Sequence, residues 1–341
     1  MKAVRFHECG GPEVLRYEDV REPEIGPGEA LVRVRACALN HLDLWQRKGL
    51  RRISLPMPHI SGADIAGELV AVDGGSVKPG GRVMLQPGLS CGRCAACLSG
   101  QDNHCPEYDL LGYRSLPGGY AEYVKVPVAN LIPLPDSTDL VAAAAFPLTF
   151  LTAWHMLVTK ARVQAGEDVL VLAAGSGVGQ AAIQVARLHG ARVFATAGTD
   201  EKAAKARELG VHAVINHRTQ DFAAEIKALT DRRGVDIVIE HVGEATWEKS
   251  LRSLAPFGRL VTCGATTGSG VQLDLQFLYA RQLSVAGSYM GTKGELLRAF
   301  RFFISGELQP VIDRTFPLRE AASAQRRMEA SEQFGKIVLQ C

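Results

Sequence analysis

From Asp168 onward the chain alternates between short apolar runs and amphipathic stretches, and this alternation constrains the fold more than any other feature. Asp168–Ala173 reads as a strand and Val178–His189 as a helix stopped at Gly190. Arg192–Thr196 is again a strand, and Glu201–Leu209 a helix stopped at Gly210. Val214-Ile215, Asp236–Ile239 and Arg259–Thr262 follow as strands with helices between them. Parallel strands can be joined only by crossover connections, usually helical, so repeated units of this length predict a doubly wound parallel α/β sheet.

The first turn of this region carries a second signal. The strand Asp168–Ala173 runs into Ala174-Gly175-Ser176-Gly177-Val178-Gly179 and then a helix. Small residues let the backbone approach a pyrophosphate, and the helix start offers free N–H groups and the positive end of its dipole. The strict G-x-G-x-x-G spacing is not met, so the dinucleotide reading rests on the strand–turn–helix setting; a tight turn in a non-binding domain is the alternative. Ser176, Gly177, Val178 and Gly179 are the expected phosphate contacts. The next strand ends Thr196-Ala197-Gly198-Thr199 with no acid at its tip. A 2′-phosphate is not repelled there, and Lys202 and His217-Arg218 stand close by, which favours NADP(H) over NAD(H). Lys202 also fits a solvated helix face beside Asp200 and Glu201.

Ahead of this region, the first 130 residues read as short strands punctuated by Gly and Pro. Val4–Phe6, Ala30–Ala36 and Ala66–Val72 are the clearest strands. A long loop, Gln86–Leu116, holds Cys91, Cys94, Cys97 and Cys105. Close cysteine pairs on tight turns suit a tetrahedral zinc, and four thiolates leave no open position, so one structural zinc per chain is expected. Two disulfides, or four unrelated thiols, are the alternatives. Just ahead of the α/β region, Ser137 opens an Ala-rich helical stretch, Val141–Val158, interrupted at Pro147. The end of the chain gives helices Gly294–Ile304 and Arg319–Ala330 and a strand Lys336–Leu339.

Composition excludes several classes. A net charge of +2 over 341 residues, with no basic run, speaks against a nucleic-acid binder. No apolar run reaches the roughly 18 residues of a membrane span. Met1–Phe6 lacks a signal peptide's apolar stretch, so a cytoplasmic protein with reduced cysteines is expected.

Together these motifs resemble the medium-chain dehydrogenase/reductase superfamily, which includes the zinc alcohol dehydrogenases and their quinone-reductase relatives. The resemblance covers essentially the whole chain. Gly62–Gly67 resembles the family's Gly-His-Glu-containing turn, and Gly287-Ser288 and Gly335–Val338 its late signatures. It implies a GroES-like β-rich catalytic domain, residues 1–125 and 290–341, with a structural zinc lobe at 86–116. A Rossmann nucleotide-binding domain would span 126–289. It adds Thr152, Thr196, Lys202, His217, Cys263, Gly264 and Lys336 to the expected cofactor contacts. It also implies a homodimer or homotetramer joined at the Rossmann sheet edge, near Leu283–Ala286.

The departures from the zinc alcohol dehydrogenases bear on the chemistry. Asn40 stands where their catalytic-zinc Cys should be, Ala63 replaces the His, and Leu148 replaces the third ligand. Leu42 replaces the proton-relaying Ser or Thr. The usual catalytic zinc site therefore cannot form. Asn40 and Asp43 are similar to residues of quinone and enone reductases, as is Leu151-Thr152-Ala153-Trp154. The implied activity is hydride transfer from NADPH to a quinone, enone or related activated carbonyl compound. Asn40 would steady the developing oxyanion, His41 would supply a proton, and Asp43 and Asp64 would orient neighbours. As a turn former, Asn40 could instead hold only its own backbone. Alternatives are an alcohol dehydrogenase acting through a non-standard site and a non-catalytic NADPH binder. A different metal site built from His41, Asp43, His59 and Asp64 is a further alternative.

Overall fold

The structure is a computed structural model and describes residues 1–49, 53–75 and 77–341. Two compact units share the chain. One holds Met1–Leu148, Thr292–Leu296 and Gln309–Cys341, the other Thr149–Gly291 and Leu297–Leu308.

The first unit is built on antiparallel strands. β1 (Lys2–Arg5) pairs with β2 (Arg16–Asp19). β3 (Glu29–Ala38), β4 (Asp64–Val72) and β5 (Arg82–Leu85) are successive neighbours in a larger sheet. The helix α1 (His41–Lys48) lies between β3 and β4, at a place where only strands were expected. It starts because the Asp43 carboxylate accepts the Asn40 backbone N–H at 2.8 Å, half of a capping box. In the cysteine loop, β6 (Gly88–Leu89) pairs with β7 (Asp109–Leu110), and α2 (Ala95–Leu98) lies between them. β8 (Tyr123–Pro127) pairs with β3, and β9 (Leu131–Pro133) with β5. These pairings move the expected boundary at 125/126. Residues 126–148, including β9 and α3 (Leu140–Ala145), belong to the first unit because their hydrogen-bond partners lie there. Val32, Val34, Ile65, Leu69 and Val83 form its core with Ile337 and Leu339 from the end of the chain.

Pro147 divides the expected helix 141–158, since proline has no N–H to continue α3. α4 (Pro147–Trp154) follows and runs into a π-helical turn, His155–Lys160. The second unit then alternates as the sequence predicts. Its elements are β10 (Asp168–Val171), α5 (Gly177–Leu188), β11 (Arg192–Ala197), α6 (Asp200–Glu208), β12 (Ala213–Asn216), α7 (Phe222–Leu229), β13 (Val235–Glu240), α8 (Trp247–Ser253), β14 (Leu254–Thr262), α9 (Leu275–Ala280) and β15 (Ser284–Gly287). All six strands are parallel, in the order β12-β11-β10-β13-β14-β15, the arrangement of a doubly wound Rossmann sheet. The central strand β10 is buried throughout, as a strand covered by helices on both faces must be. β15 is an edge, with Ser284, Val285 and Gly287 exposed.

After α10 (Lys293–Ile304) the chain returns to the first unit. The first return, at Thr292–Leu296, lies close to the expected 290, but the segment Leu297–Leu308 goes with the second unit before the chain rejoins the first at Gln309. β16 (Ile312–Pro317), α11 (Ala321–Glu329) and β17 (Lys336–Gln340) complete the fold. β17 pairs parallel with β16 and antiparallel with β3. Among the described residues, no helix is long and apolar enough to cross a membrane.

Candidate active site

In the first unit, β3, β4 and β17 bring three polar residues together in an apolar core. Asn40 follows the end of β3, Asp64 opens β4 and Lys336 opens β17. All three are buried, Asp64 completely. The Lys336 ammonium donates to Asn40 Oδ1 at 2.7 Å and to Asp64 Oδ2 at 2.9 Å. Asn40 Nδ2 donates to the same Asp64 Oδ2 at 2.9 Å, and Leu148 N–H donates to Asp64 Oδ1 at 2.8 Å. The register explains the meeting. Asp64 lies opposite Ala38 on β3, and Ala38 lies opposite Val338 on β17, two residues beyond Lys336. Lys336 is expected among the cofactor contacts; in the structure its ammonium donates to Asn40 and Asp64. The three positions read as lost zinc ligands, 40, 63 and 148, thus border one buried ion pair and carry an amide, a methyl and an isobutyl group.

Asp43 is one step away. Its Oδ2 accepts the Asn40 N–H and, at 3.1 Å, the Tyr120 hydroxyl. Burial raises its carboxyl to about 6, outweighing the Asn40 N–H and the nearby Lys336, which pull the other way. His41 occupies the first position of α1, partly exposed, with its ring centroid 6.2 Å from that of Trp45. His59 is a buried wall residue. Its ring meets Gly112 O at 3.1 Å and packs 5.2 Å from Phe6, and burial holds it below the ordinary histidine range. The alternative metal site of His41, Asp43, His59 and Asp64 does not assemble. Among the described residues, the one group of side chains able to hold a metal is the cysteine quartet.

That quartet is compact. The four Sγ atoms of Cys91, Cys94, Cys97 and Cys105 lie within 4.8 Å of one another. Cys91 and Cys105 are 3.5 Å apart, and Cys91 and Cys97 4.0 Å. Zinc–sulfur bonds of about 2.3 Å at tetrahedral angles place sulfurs about 3.8 Å apart, so the donor set fits that ion. Backbone N–H groups of Arg93 and Cys94 lower the Cys91 thiol to about 6, which favours the ligating thiolate.

In the second unit, the expected cofactor residues gather at the carboxyl ends of the parallel strands, where such sheets bind ligands. The Ser176 side chain caps α5 by accepting Gly179 N–H at 2.8 Å. A Cβ on Gly179 would lie 2.2 Å from Ala173 O, so this turn admits only glycine. Thr196 Oγ1 accepts Ala173 N–H at 3.0 Å and holds the turn from β11. Cys263 and Gly264 follow β14, and burial raises the Cys263 thiol to about 12, keeping it neutral. At the tip of β11, a Cβ on Gly198 would meet the His217 ring at 3.4 Å and Arg218 Nε at 3.5 Å. Burial, then the Arg218 and Lys202 cations, holds His217 below its usual range, so Lys202, His217 and Arg218 form one electropositive cluster. Thr152 lies buried on α4.

Two residues at this edge escaped the sequence analysis. His241, directly after β13, meets Leu172 O at 3.0 Å and Ser176 Oγ at 3.4 Å, bracing the Ser176–Gly179 turn. The fully buried Glu240 accepts from Val242 N–H, Gly243 N–H, Thr246 Oγ1 and Ser250 Oγ, which fixes the neighbouring loop. An acid ending an apolar strand was the signal available for it.

Comparison with known proteins follows this division. Residues 26–136 match the model of the alcohol dehydrogenase GroES-like domain, and residues 177–305 that of zinc-binding dehydrogenases. Human quinone oxidoreductase is 31% identical over 99% of this chain and 97% of its own length. An alcohol dehydrogenase of Geobacillus stearothermophilus is 34% identical over 99% of this chain and 98% of its own length. Among solved structures, one of an NAD-dependent alcohol dehydrogenase superposes with a TM-score of 0.96 at 47% identity, over the whole of both chains.

Proposed function

The chain belongs to the medium-chain dehydrogenase/reductase superfamily and is an NAD(P)-dependent oxidoreductase; we propose that it is an NADPH-dependent reductase of quinones, enones or related activated carbonyl compounds. The observation that carries this reading is the Asn40–Lys336–Asp64 cluster. An amide, a methyl and an isobutyl group at positions 40, 63 and 148 offer no ligand set for a catalytic zinc, and the site's positive charge is a lysine ammonium. One zinc per chain, held by Cys91, Cys94, Cys97 and Cys105, is then structural, and these residues fold the 86–116 lobe around it.

The dinucleotide would be held by the α5 start and the Ser176–Gly179 turn, with Thr152 beside the nicotinamide. Lys202, His217 and Arg218 would receive a 2′-phosphate, which supports NADP(H) over NAD(H). Bound NADPH supplies the hydride. Asn40 Nδ2 has one proton on Asp64 and a second whose sole partner is Ala38 O at a long 3.5 Å. That second proton is the donor offered to the acceptor's oxygen as negative charge develops. His41, partly exposed at the start of α1, supplies a proton to the product. Asp43 holds the Asn40 backbone and so the turn that carries the amide.

Alcohol dehydrogenase activity is the second reading, favoured by the 47% identical structure that bears that name. The two are separated by purifying the protein, measuring zinc per chain, and following NADPH consumption with a quinone and an enone against NADP+ reduction with primary and secondary alcohols. One zinc and turnover of the activated acceptors is the expected result. Two zincs with chelator-sensitive alcohol oxidation would sink the reductase reading.

A further inference from the structure

We propose that Lys336 is a positioning residue for the reaction: its ammonium fixes the orientation of the Asn40 amide and stands in for the positive charge that zinc-dependent relatives place at this point of the fold. The inference rests on the reading that the acceptor's oxygen meets Asn40.

The hydrogen-bond pattern admits one orientation of the amide. An ammonium can only donate, so the Asn40 atom 2.7 Å from Lys336 Nζ must be the carbonyl oxygen. A carboxylate can only accept, so the atom 2.9 Å from Asp64 Oδ2 must be the NH2 group. Flipping the amide would set NH2 against ammonium and C=O against carboxylate, and two charge-assisted bonds oppose that flip in a buried setting. Asp64 is in turn held by Leu148 N–H through its other oxygen, so the acceptor side of the cluster is also fixed. What remains is the second Nδ2 proton, aimed by exclusion. The cation on Oδ1 also draws electron density from the amide and strengthens that remaining donor.

The placement argues against a role confined to the fold. β17 begins with a charged residue ahead of Ile337, Val338 and Leu339, all fully buried, where an apolar residue would pack without an ion pair.

The test uses the zinc-loaded protein saturated with NADP+ and 4-nitrophenol as an oxyanion probe that is not turned over. The wild type should bind the phenolate in preference to the phenol, read as a fall in the probe's apparent pKa. Lys336→Met should weaken phenolate binding by about tenfold or more, less than the roughly hundredfold loss typical of deleting an oxyanion donor outright. With a quinone or enone and NADPH, kcat should fall by a similar factor while KM for NADPH stays within about twofold. Lys336→Met leaves Asp64 buried without its partner, and Asp64→Asn would do the same to Lys336, so the same measurements are made on Lys336→Met/Asp64→Asn, in which neither charge remains, with the wild type as its matched parent. Phenolate affinity and kcat within about twofold of the matched parent would overturn the proposal. So would a loss confined to NADP(H) affinity, which would return Lys336 to the cofactor, or a wild type that does not prefer the phenolate. A wild type that binds the phenolate but reduces neither quinone nor enone would defeat the reductase reading and leave the Lys336 assignment standing on the probe.

Discussion

Replacing Asp43 by Asn should make the protein's stability less sensitive to pH in a calculable way. Burial raises the Asp43 carboxyl to about 6 in the folded protein, against 3.8 for an exposed aspartate. The folded state therefore holds this proton more tightly than the unfolded chain. Stability contributed by the protonated group is complete below about pH 3.8 and is lost as pH rises towards 6, after which the penalty is constant. At 1.36 kcal/mol per pH unit, the full penalty above pH 6 is about 3 kcal/mol. Asparagine keeps an oxygen for the Asn40 N–H and the Tyr120 hydroxyl but carries no charge. Its NH2 group adds a constant cost of about 1–3 kcal/mol if unpaired, which shifts the whole curve without tilting it. The informative quantity is thus the change in the difference between variant and wild type. Between about pH 4.5 and pH 8 the variant should gain about 2 kcal/mol on the wild type. Equilibrium urea unfolding at a series of pH values measures this directly. Parallel curves, with a constant gap across that range, would refute the argument that Asp43 is ionised at a cost inside the core.

Three further outcomes test other parts of the structure. Gly198→Asp places a carboxylate at the tip of β11, beside His217 and Arg218 and outside the left-handed backbone region, so it should weaken NADPH binding by about tenfold while sparing NADH; fluorescence titration of both cofactors decides. Phe257 sits at φ +65° with 66% of its surface exposed. Relief of a left-handed side chain, about 1–2 kcal/mol, exceeds the entropy glycine loses, about 0.5–1 kcal/mol, so Phe257→Gly should stabilise by roughly 0.5–1 kcal/mol in urea unfolding. Val285 lies exposed on the edge strand β15, with Tyr289 exposed just beyond it. If β15 joins two copies, Val285→Arg should yield a monomer of unchanged thermal stability by sedimentation velocity, and an unaltered oligomer would exclude that edge.

The two units were not equally legible. Most of the second unit's strands and its first two helices could be read within a residue or two because each announces itself locally, whereas β14 starts five residues ahead of the expected Arg259. Apolar runs become β10, β11 and β13, Ser176 and Thr199 cap α5 and α6, and Gly190 and Gly210 end them at φ +76°. The cysteine quartet was legible for the same reason, since all four ligands fall within 15 residues. The first unit's boundary was not. β9 looks like any short apolar run, and only its pairing with β5, far back in the chain, assigns it. The helix α1 was missed because Asn40 and Asp43 read as site residues and were not weighed as a cap.

The candidate site was half legible, and the missing half has a physical cause. Asn40, Asp43 and Asp64 stand within 25 residues of one another, but Lys336 reaches them only because β17 returns to pair with β3. Nothing near Lys336 in the sequence encodes that return. What the sequence does encode is a cost: a lysine opening the apolar run Lys336–Leu339 and an aspartate opening Asp64–Ala66 each imply a buried charge, and a buried charge demands a partner. Two such demands of opposite sign in one domain can satisfy each other. Strand order then decides whether they meet, and here β3 lies between β17 and β4 and turns at Asn40, so the amide falls between the two charges. A cluster assembled this way is neutral overall, keeps its amide in one orientation, and leaves a single N–H to offer. Those are the properties by which the site, on the proposed zinc-free reading, would favour an oxyanion without attracting a cation in its place.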